Sequence, residues 1–243
     1  MSATLPYAEL GTVFLDAGNT LISIDFEWVA RELGARGAAC DAASLERAEA
    51  AARPRVSAAL VRRGSTEGED AFSFYLRVVL EQLPGDLGAA ERAELVRAVA
   101  PVLRGSEGAD RLWSRVMPGV PEALAALRAA GLQLVVVSNS DGTVDRGLTA
   151  AGLRPHLDAV IDSHRVGFEK PDPRIFQHAL ERCGADPRRT LHVGDLYDAD
   201  VVGARAAGLH ALLLDPYGDW PEVPCIRLPD LTALAERITR AHP

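Results

Sequence analysis

From residue 120 onward, short apolar runs alternate with segments of helical periodicity, and this alternation restricts the fold more than any other feature of the chain. Apolar runs bounded by turn residues are typical of buried strands, whereas apolar residues spaced three and four apart are typical of helices. The predicted order is helix 120–130, strand 132–137, helix 143–151, strand 159–161, helix 173–183, strand 190–193, helix 199–207, strand 210–214 and helix 231–240. This order favours the α/β class, as a Rossmann-like, doubly wound parallel sheet with helices on both faces.

One further strand is predicted near the start of the chain, at Thr12–Asp16, where the apolar run TVFL ends in a carboxylate. Between about residues 27 and 104 the periodicity is helical, and no strand-like run interrupts it. Because the first strand belongs to the same sheet as the later ones, we interpret the helical stretch as an insertion. The predicted domains are an α/β core of residues 1–21 and 111–243 and a helical cap of residues 22–110.

The composition excludes several classes of protein. With 48% hydrophobic and 25% charged residues, the 243-residue chain is neither disordered nor collagen-like. Its net charge of −8 disfavours binding to nucleic acid or to an anionic membrane. No apolar run approaches the roughly 20 residues of a membrane helix, and the first residues do not resemble a signal peptide. We therefore expect a cytoplasmic protein that acts on a small molecule, while a monomer and a homodimer both remain open.

The three cysteines, Cys40, Cys183 and Cys225, are odd in number and form no CxxC pair. This spacing suits neither a zinc site nor a disulfide framework. We predict three unpaired thiols, as in a reducing compartment.

Polar residues of different chemical kinds follow four segments of the predicted sheet. They are the carboxylate Asp16, the hydroxyl of Ser138 with Asn139 behind it, Lys170 before Pro171, and the acids Asp195 and Asp200 after Gly194. Lys170 is the only lysine among 26 basic residues, so a compact ammonium is retained at this one position. Ligands of open α/β sheets bind beyond the carboxyl ends of the strands. The four segments are therefore predicted to converge on one site.

This ordered set resembles the four motifs of the haloacid dehalogenase superfamily of hydrolases. The matching residues are Asp16 with Thr20, Ser138, Lys170 before Pro171, and Gly194-Asp195 with Asp200. The resemblance covers the whole chain, since members with an α-helical C1 cap carry that cap just after the first motif. Each motif alone recurs by chance, whereas four in order at predicted strand ends are specific.

The resemblance implies a phosphatase that acts on a small phosphorylated metabolite. Asp16 would be the nucleophile and would form an aspartyl phosphate, with Lys170 neutralising the carboxylates. Ser138, Asn139 and Lys170 would bind the phosphoryl oxygens. The implied cofactor is Mg²⁺, and its implied ligands are Asp16, the main-chain carbonyl of Gly18, Asp195 and Asp200.

The chain departs from the family pattern at Gly18. Family phosphatases carry there a second aspartate, two residues after the nucleophile, that protonates the leaving oxygen and then activates water. Loss of such a general acid and base costs about 10² to 10⁴ in rate. We therefore expect weak activity on alkyl phosphates, whose alkoxides leave badly, and a smaller deficit for acyl, enol or aryl phosphates.

Two other functions remain open. A phosphate-binding or regulatory protein without turnover would also explain Gly18. A metal-free 2-haloacid dehalogenase is less compatible, because those enzymes have tyrosine at position 18 and lack the acid found here as Asp195. Phosphonoacetaldehyde hydrolase needs a cap lysine that this chain does not have, and phosphoglucomutase chemistry needs the missing aspartate.

Several other polar and aromatic residues have simpler structural explanations. Asp172 is predicted to cap the helix that starts at Pro173, and Asp198 to be a helix-start charge. The remaining predictions are core or loop positions for His164 and His192, helix packing rather than pocket lining for Phe26, Trp28 and Tyr75, and a loop at 215–220.

Overall fold

The computed structural model of the protein describes residues 5–63, 69–85, 87–105, 108 and 110–242. Its strands are Thr12–Leu15 (β1), Ile22–Ser23 (β2), Arg115–Val116 (β3), Gln133–Ser138 (β4), Ala159–Asp162 (β5), Thr190–Gly194 (β6), His210–Leu214 (β7) and Ile226–Leu228 (β8). Its α-helices are Phe26–Gly34 (α1), Ala42–Arg63 (α2), Glu69–Leu80 (α3), Ala89–Arg104 (α4), Val120–Ala129 (α5), Val144–Ala150 (α6), Ser163–Val166 (α7), Pro173–Cys183 (α8), Gly203–Ala206 (α9) and Leu231–Ala241 (α10).

Six strands form the main sheet in the order β5-β4-β1-β6-β7-β8, and every neighbouring pair is parallel. The prediction of a doubly wound parallel sheet is therefore confirmed. In this sheet β1 lies between β4 and β6, with Leu15 opposite Val136 on one side and Val193 on the other. The carboxyl ends of these three strands consequently meet at one edge.

Alternation along β1 explains how the sheet is covered on both faces. Val13 and Leu15 belong to one apolar cluster, which includes residues of α5 and α10. Phe14 points to the opposite face and belongs to a second cluster with residues of α8 and α9. All three side chains are fully buried, which stabilises the fold by about 1.5–3 kcal/mol for each large apolar side chain.

Helices α1 to α4, which we call the cap helices, share a third apolar cluster whose members include Leu33, Leu76 and Val99. The helical periodicity predicted for this stretch is therefore present as four helices. The side chain of Asp25 caps α1 by accepting a hydrogen bond from the Trp28 backbone N–H at 2.9 Å. The division into core and cap stays a prediction, and residues 1–4, 64–68, 86, 106, 107, 109 and 243 of it lie outside the described residues.

Three strands escaped the sequence analysis. β2 and β3 form an antiparallel pair in which Ile22 lies opposite Val116, and β8 extends the main sheet at its edge. Each has two or three residues, which is too short for an apolar period to be detected. The β2–β3 pair stands where the chain leaves the core for the cap helices and where it returns.

The helix predicted over 199–207 is built differently. A π-helix runs over Tyr197–Val202 and is followed by the short α9. Within it the Asp200 backbone N–H donates to the Leu196 carbonyl, and the Leu196 backbone N–H donates back to the Asp200 carboxylate at 2.9 Å. Such π-bulges are frequent at functional sites. Here the Asp200 carboxylate lies against Gly194, at the end of β6.

Several local predictions are confirmed. Asp172 caps α8 by accepting from the Arg174 backbone N–H, and residues 215–220 are a loop. Cys40, Cys183 and Cys225 are free thiols. Within the described part of the chain, every helix is too short or too polar to span a bilayer.

Candidate active site

Asp16 lies directly after β1, at the centre of the sheet edge. Its backbone N–H donates to the Val193 carbonyl at 2.9 Å, which continues the pairing of β1 with β6 by one residue. The chain then turns sharply, and Asn19 adopts a left-handed conformation with φ of 50°, which asparagine tolerates better than most residues. The turn leaves the Asp16 carboxylate at the edge of the sheet, 8% exposed.

Lys170 connects two acids of the site. Its Nζ atom lies 2.6 Å from Asp16 Oδ1 and 2.7 Å from Asp200 Oδ1, and the residue is 3% exposed. The Asn139 side chain holds the Lys170 backbone on both sides: Nδ2 donates to the Lys170 carbonyl at 2.9 Å, and Oδ1 accepts from the Lys170 N–H at 2.7 Å. The predicted convergence of the lysine segment with the end of β4 is therefore present in the fold.

Asp200 is fixed by donors on both of its oxygens. Besides Lys170, Nε2 of His192 lies 2.9 Å from Oδ1, and the Leu196 N–H donates to Oδ2. The carboxylate packs so closely on β6 that a Cβ at Gly194 would lie 2.2 Å from Asp200 Cγ. Glycine at position 194 is therefore a steric requirement of this arrangement.

Asp16, Asp195 and Asp200 form a group of acids whose ligand atoms all lie within 4.8 Å of one another. Burial and the neighbouring carboxylates raise the pKa of Asp195 to about 8, although Arg53 opposes this shift. Burial also raises the pKa of Asp16, against the effect of Lys170. Burial would likewise raise the pKa of Asp200, but Lys170 and His192 hold it well below its ordinary value.

Asp16 and Asp200 in turn shift the pKa of Lys170. Burial alone would lower the pKa of its ammonium, but the charges of Asp16 and Asp200 outweigh burial and hold this pKa above its ordinary value. Lys170 therefore stays charged at neutral pH. A charged lysine between the carboxylates can neutralise two acids at once.

Two cap helices contribute charged and polar groups to the acid cluster. From α2, Arg53 lies 2.7 Å from Glu49 and 3.4 Å from Asp195 Oδ2, and both residues of the Glu49–Arg53 pair are buried. Asn19 Nδ2 donates to Asp195 Oδ2 at 3.1 Å and to Glu49 Oε1 at 2.9 Å. From α3, the Tyr75 hydroxyl donates to the same Glu49 oxygen at 3.1 Å.

Trp113 stands beside the position of the missing aspartate. A Cβ at Gly18 would lie 3.3 Å from Trp113 Cζ3, on the benzene edge of the indole. Trp113 is half-buried and packs against both the cap cluster and one cluster of the sheet. An indole edge cannot exchange protons as a carboxyl group does, so this position offers no acid or base.

A cavity of about 260 Å³ connects these groups. At its base lie the residues predicted from the motifs, namely Asp16, Gly18, Ser138, Asn139, Lys170, Asp195 and Asp200. Ser138 is buried at the end of β4, where its hydroxyl donates to the Asn139 carbonyl at 3.3 Å. All predicted site residues are thus brought to one cavity.

Other sequence interpretations need correction or refinement. Tyr75 was expected only to pack between helices, but it lines the cavity, whereas Phe26 and Trp28 are buried in the cap cluster. His192 is a core histidine as predicted, and it also contacts Asp200. Asp198 lies in the first turn of the π-helix, and it also accepts a hydrogen bond from the Ser57 hydroxyl of α2 at 2.8 Å.

The sequence analysis did not identify Asn19, Glu49, Arg53 or Trp113. Glu49 and Arg53 are four residues apart, a spacing that is equally common for exposed ion pairs on helices. Trp113 follows the predicted cap and carries no motif. Only Asn19 could have been recognised from the sequence, because it lies within the first motif, next to Gly18.

Known proteins resemble this chain in sequence and in fold. The family model described as haloacid dehalogenase-like hydrolase matches residues 10–208. The chain is 34% identical to haloacid dehalogenase-like hydrolase domain-containing protein 3 of Homo sapiens over 188 residues, which cover 77% of this chain and 74% of the human one. The protein of the same name from Mus musculus is 40% identical over 128 residues, and that match spans about half of its length, 51%.

A relative named phosphoserine phosphatase, from Thermus thermophilus, is 38% identical over 164 residues, covering 65% of this chain and 63% of that one. Among solved structures, one of a dehalogenase with an intermediate superposes with a TM-score of 0.65 at 21% identity, covering 94% and 97% of the two chains. The HAD-hydrolase YfnB from Bacillus subtilis, bound to magnesium, gives 0.62 at 18% identity, covering 94% and 98%. By its motifs, its fold and the family model, this chain belongs to the haloacid dehalogenase-like hydrolases.

Proposed function

We propose that the protein is a Mg²⁺-dependent phosphatase that hydrolyses a small phosphorylated metabolite through an aspartyl phosphate on Asp16. The observation that carries the proposal is the contact of the Asp16 carboxylate with Lys170 at 2.6 Å, beside two further buried acids. The name of the Thermus thermophilus relative, phosphoserine phosphatase, supports the same class of reaction.

The donor set fits a divalent metal ion. Four buried carboxylates, those of Asp16, Glu49, Asp195 and Asp200, face two buried cations, Lys170 and Arg53. A dication would balance this excess of negative charge, and oxygen ligands suit Mg²⁺. Asp16, Asp195, Asp200 and the main-chain carbonyl of Gly18 would hold it. When bound, the metal ion supplies positive charge to the phosphoryl oxygens.

Asp16 is suited to act as the nucleophile because the Lys170 ammonium donates a hydrogen bond to its carboxylate and favours the ionised form. Lys170 remains charged and would offset the repulsion between this carboxylate and an approaching phosphoryl group. Ser138 and Asn139 would bind phosphoryl oxygens at the end of β4. Asp16 would then form a P–O bond as the ester oxygen leaves, and water would cleave the aspartyl phosphate to release inorganic phosphate.

Gly18 limits the leaving groups that this machinery can expel. The residue facing position 18 is Trp113, which does not supply the missing acid. An alkoxide must be protonated as it departs, whereas a phenolate leaves readily as an anion. We therefore infer slow turnover of alkyl phosphates and faster turnover of activated phosphates.

The same glycine is the observation that favours a second candidate, a phosphate-binding protein without turnover. The two functions differ in one measurable property, which is release of inorganic phosphate. The metal-free dehalogenase is disfavoured by Asp195, which adds a third buried carboxylate to the group.

The test is hydrolysis of p-nitrophenyl phosphate with Mg²⁺ and with EDTA. We expect turnover that requires Mg²⁺ and is lost in Asp16→Asn. Asp198→Asn is the matched control. Asp198 lies between the site acids Asp195 and Asp200 in the chain, but it accepts a hydrogen bond from Ser57 and does not line the cavity. Full activity of Asp16→Asn would refute the proposal, and phosphate binding without hydrolysis would favour the second candidate.

A further inference from the structure

Three aromatic rings form one wall of the cavity above Asp16. The ring centroids of Phe72 and Tyr75 are 6.1 Å apart, and those of Tyr75 and Trp113 are 6.5 Å apart. All three residues line the cavity, and Trp113 reaches the backbone at Gly18. A continuous aromatic surface therefore begins next to the proposed nucleophile and extends along α3. We call these three residues the aromatic wall.

The aliphatic neighbours of the aromatic wall extend its apolar character. Val56, Leu103 and Leu112 also line the cavity. Pockets that are mostly apolar, with a few polar groups at one end, bind ligands that have the same division. The expected ligand is polar at the Asp16 end and apolar beyond it.

The arginines of this cavity have acidic partners. Arg53 is held by Glu49 at 2.7 Å, and Arg104 lies 3.7 Å from Asp141. Both arginines line the cavity. Arg53 is therefore engaged by a buried acid, whereas Arg104 is partly exposed and also lies over the Phe72 ring, with 5.6 Å between its Cζ atom and the ring centroid.

The absence of an acid at Gly18 is an independent argument about the ligand. Without a proton donor at position 18, the preferred ester is one whose oxygen leaves as a stable anion. An aryl phosphate has this property, because the phenolate is stabilised by its ring. The aromatic wall beside Gly18 and the missing acid are thus two features that suit one class of substrate.

Accepting the proposed phosphatase function, we propose that the substrate is an aryl phosphate whose ring packs against the aromatic wall. In the first step Asp16 forms a bond to phosphorus while the bond from phosphorus to the aryl oxygen breaks, and the phenolate leaves and takes its proton from solvent. In the second step the oxygen of water bonds to phosphorus while the bond from phosphorus to the Asp16 oxygen breaks, water gives its proton to solvent, and inorganic phosphate and the Asp16 carboxylate are formed.

Binding tests ring recognition without turnover. Phenylphosphonate and cyclohexylphosphonate have six-membered carbon rings of similar size, and neither can be hydrolysed, but only the first is aromatic. In the presence of Mg²⁺, calorimetry should show phenylphosphonate binding roughly threefold to tenfold more tightly, the range expected for favourable ring contacts. Equal affinity for the two phosphonates would overturn the proposal.

Substitutions in the aromatic wall test whether these rings cause the preference for phenylphosphonate. Trp113→Leu should abolish the preference for phenylphosphonate, and Trp113→Phe should retain part of it. Phe74→Leu is the matched control, because Phe74 lies on α3 but does not line the cavity. A preference that survives Trp113→Leu and Phe72→Leu would overturn the proposed location. The comparison of the two phosphonates on the unmodified protein does not depend on whether these variants fold.

Turnover separates this proposal from the proposed function. Phenyl phosphate and hexafluoroisopropyl phosphate release alcohols of similar acidity, so a higher kcat/KM for phenyl phosphate would report the ring rather than the leaving group. Turnover of both at equal kcat/KM would leave the phosphatase function standing and overturn the aryl preference. Selective binding of phenylphosphonate with no turnover of either ester would overturn the phosphatase function and support an aromatic phosphoryl ligand.

Discussion

Lys170 Nζ lies 2.6 Å from Asp16 Oδ1, although the two residues are 154 positions apart in the chain. The lysine is 3% exposed and stands between Asp16 and Asp200. A compact ammonium fits this space, whereas a planar guanidinium is larger and presents its donors in a fixed fork. This geometry explains why lysine occurs at this position in a chain that otherwise uses arginine.

Replacement of Lys170 should therefore be costly even when the positive charge is kept. We expect Lys170→Met to lower kcat for p-nitrophenyl phosphate by about 10² to 10³, the effect of losing one electrostatic stabiliser. Lys170→Arg should recover little of this loss. The control is Arg174→Met, which removes an exposed cation near the same loop. Near-normal activity of Lys170→Arg would contradict the steric explanation.

The raised pKa of Asp195 predicts a pH-dependent stability in the absence of metal ions. Burial first, and then the nearby carboxylates, raise the pKa of Asp195 to about 8 from an ordinary value of 3.8. Between these values the folded state holds a proton that the unfolded state has lost, so the free energy of unfolding decreases as the pH rises. The slope is at most about 1.4 kcal/mol per pH unit for one proton.

Denaturant unfolding in EDTA between about pH 7.2 and 8 measures this slope. The window lies above the ordinary pKa of His192, whose pKa is lowered by burial and whose effect on stability has the opposite sign. Asp195→Asn should flatten the profile, and Asp198→Asn should leave it unchanged. A free energy of unfolding that increases with pH across this window in the unmodified protein would be inconsistent with a protonated Asp195.

His192 is expected to position Asp200 rather than to exchange protons. Its Nδ1 atom has no hydrogen-bond partner among the described residues, so the proton of the neutral ring is placed on Nε2, facing Asp200. The ring also makes an edge contact with Phe176 at a centroid distance of 4.9 Å.

His192→Phe removes this donor, so we expect about a tenfold increase in the Mg²⁺ concentration that gives half-maximal activity. His192→Gln, which retains an N–H donor, should recover part of that affinity. The measurement is a Mg²⁺ titration of p-nitrophenyl phosphate hydrolysis, which separates metal affinity from kcat at saturating metal. Identical titrations for the two variants would exclude the hydrogen bond as the cause.

Gly18→Asp places a carboxyl group at the position of the missing general acid. We expect the ratio of alkyl to aryl phosphate turnover to increase by at least about tenfold, since only the alkyl leaving group needs protonation. The Trp113 ring must shift by a few tenths of an ångström, because a Cβ at position 18 would lie 3.3 Å from it. Gly18→Asn is the control of similar size without an acid. An unchanged ratio in Gly18→Asp would argue that Trp113 keeps the new carboxyl group out of position.

The buried Glu49–Arg53 pair should contribute to stability in a way that single substitutions exaggerate. Arg53→Met leaves the buried charge of Glu49 without its cation, so we expect a loss of about 3–5 kcal/mol in the free energy of unfolding. The double variant Glu49→Met/Arg53→Met should recover much of it.

The control is Arg36→Met, in the partly exposed Arg36–Glu32 pair of α1, which has the same spacing along its helix. That change should cost less than about 1 kcal/mol. Denaturant unfolding compares all variants. Equal losses of stability for Arg36→Met and Arg53→Met would show that burial does not determine how much the Glu49–Arg53 pair contributes.

The sequence alone was sufficient for five of the six strands of the main sheet and for the base of the site. Strand and helix periods are local properties, and the polar residues that follow each strand are adjacent to it in the chain. Once β1, β4 and β6 are parallel neighbours, Asp16, Ser138 and Asp195 must meet at one edge. For this reason the motifs by themselves predict that these residues share one site.

Only the tertiary structure decided what surrounds those acids. A Glu and an Arg four residues apart have the same local pattern whether they are exposed, like Glu32 and Arg36, or buried, like Glu49 and Arg53. Likewise, nothing local connects Trp113 with Gly18: a Cβ at position 18 would lie 3.3 Å from the Trp113 ring only because the chain returns from the cap helices beside β2. Burial and contact between distant segments depend on the packing of whole helices, and that packing determined the wall that faces the proposed nucleophile.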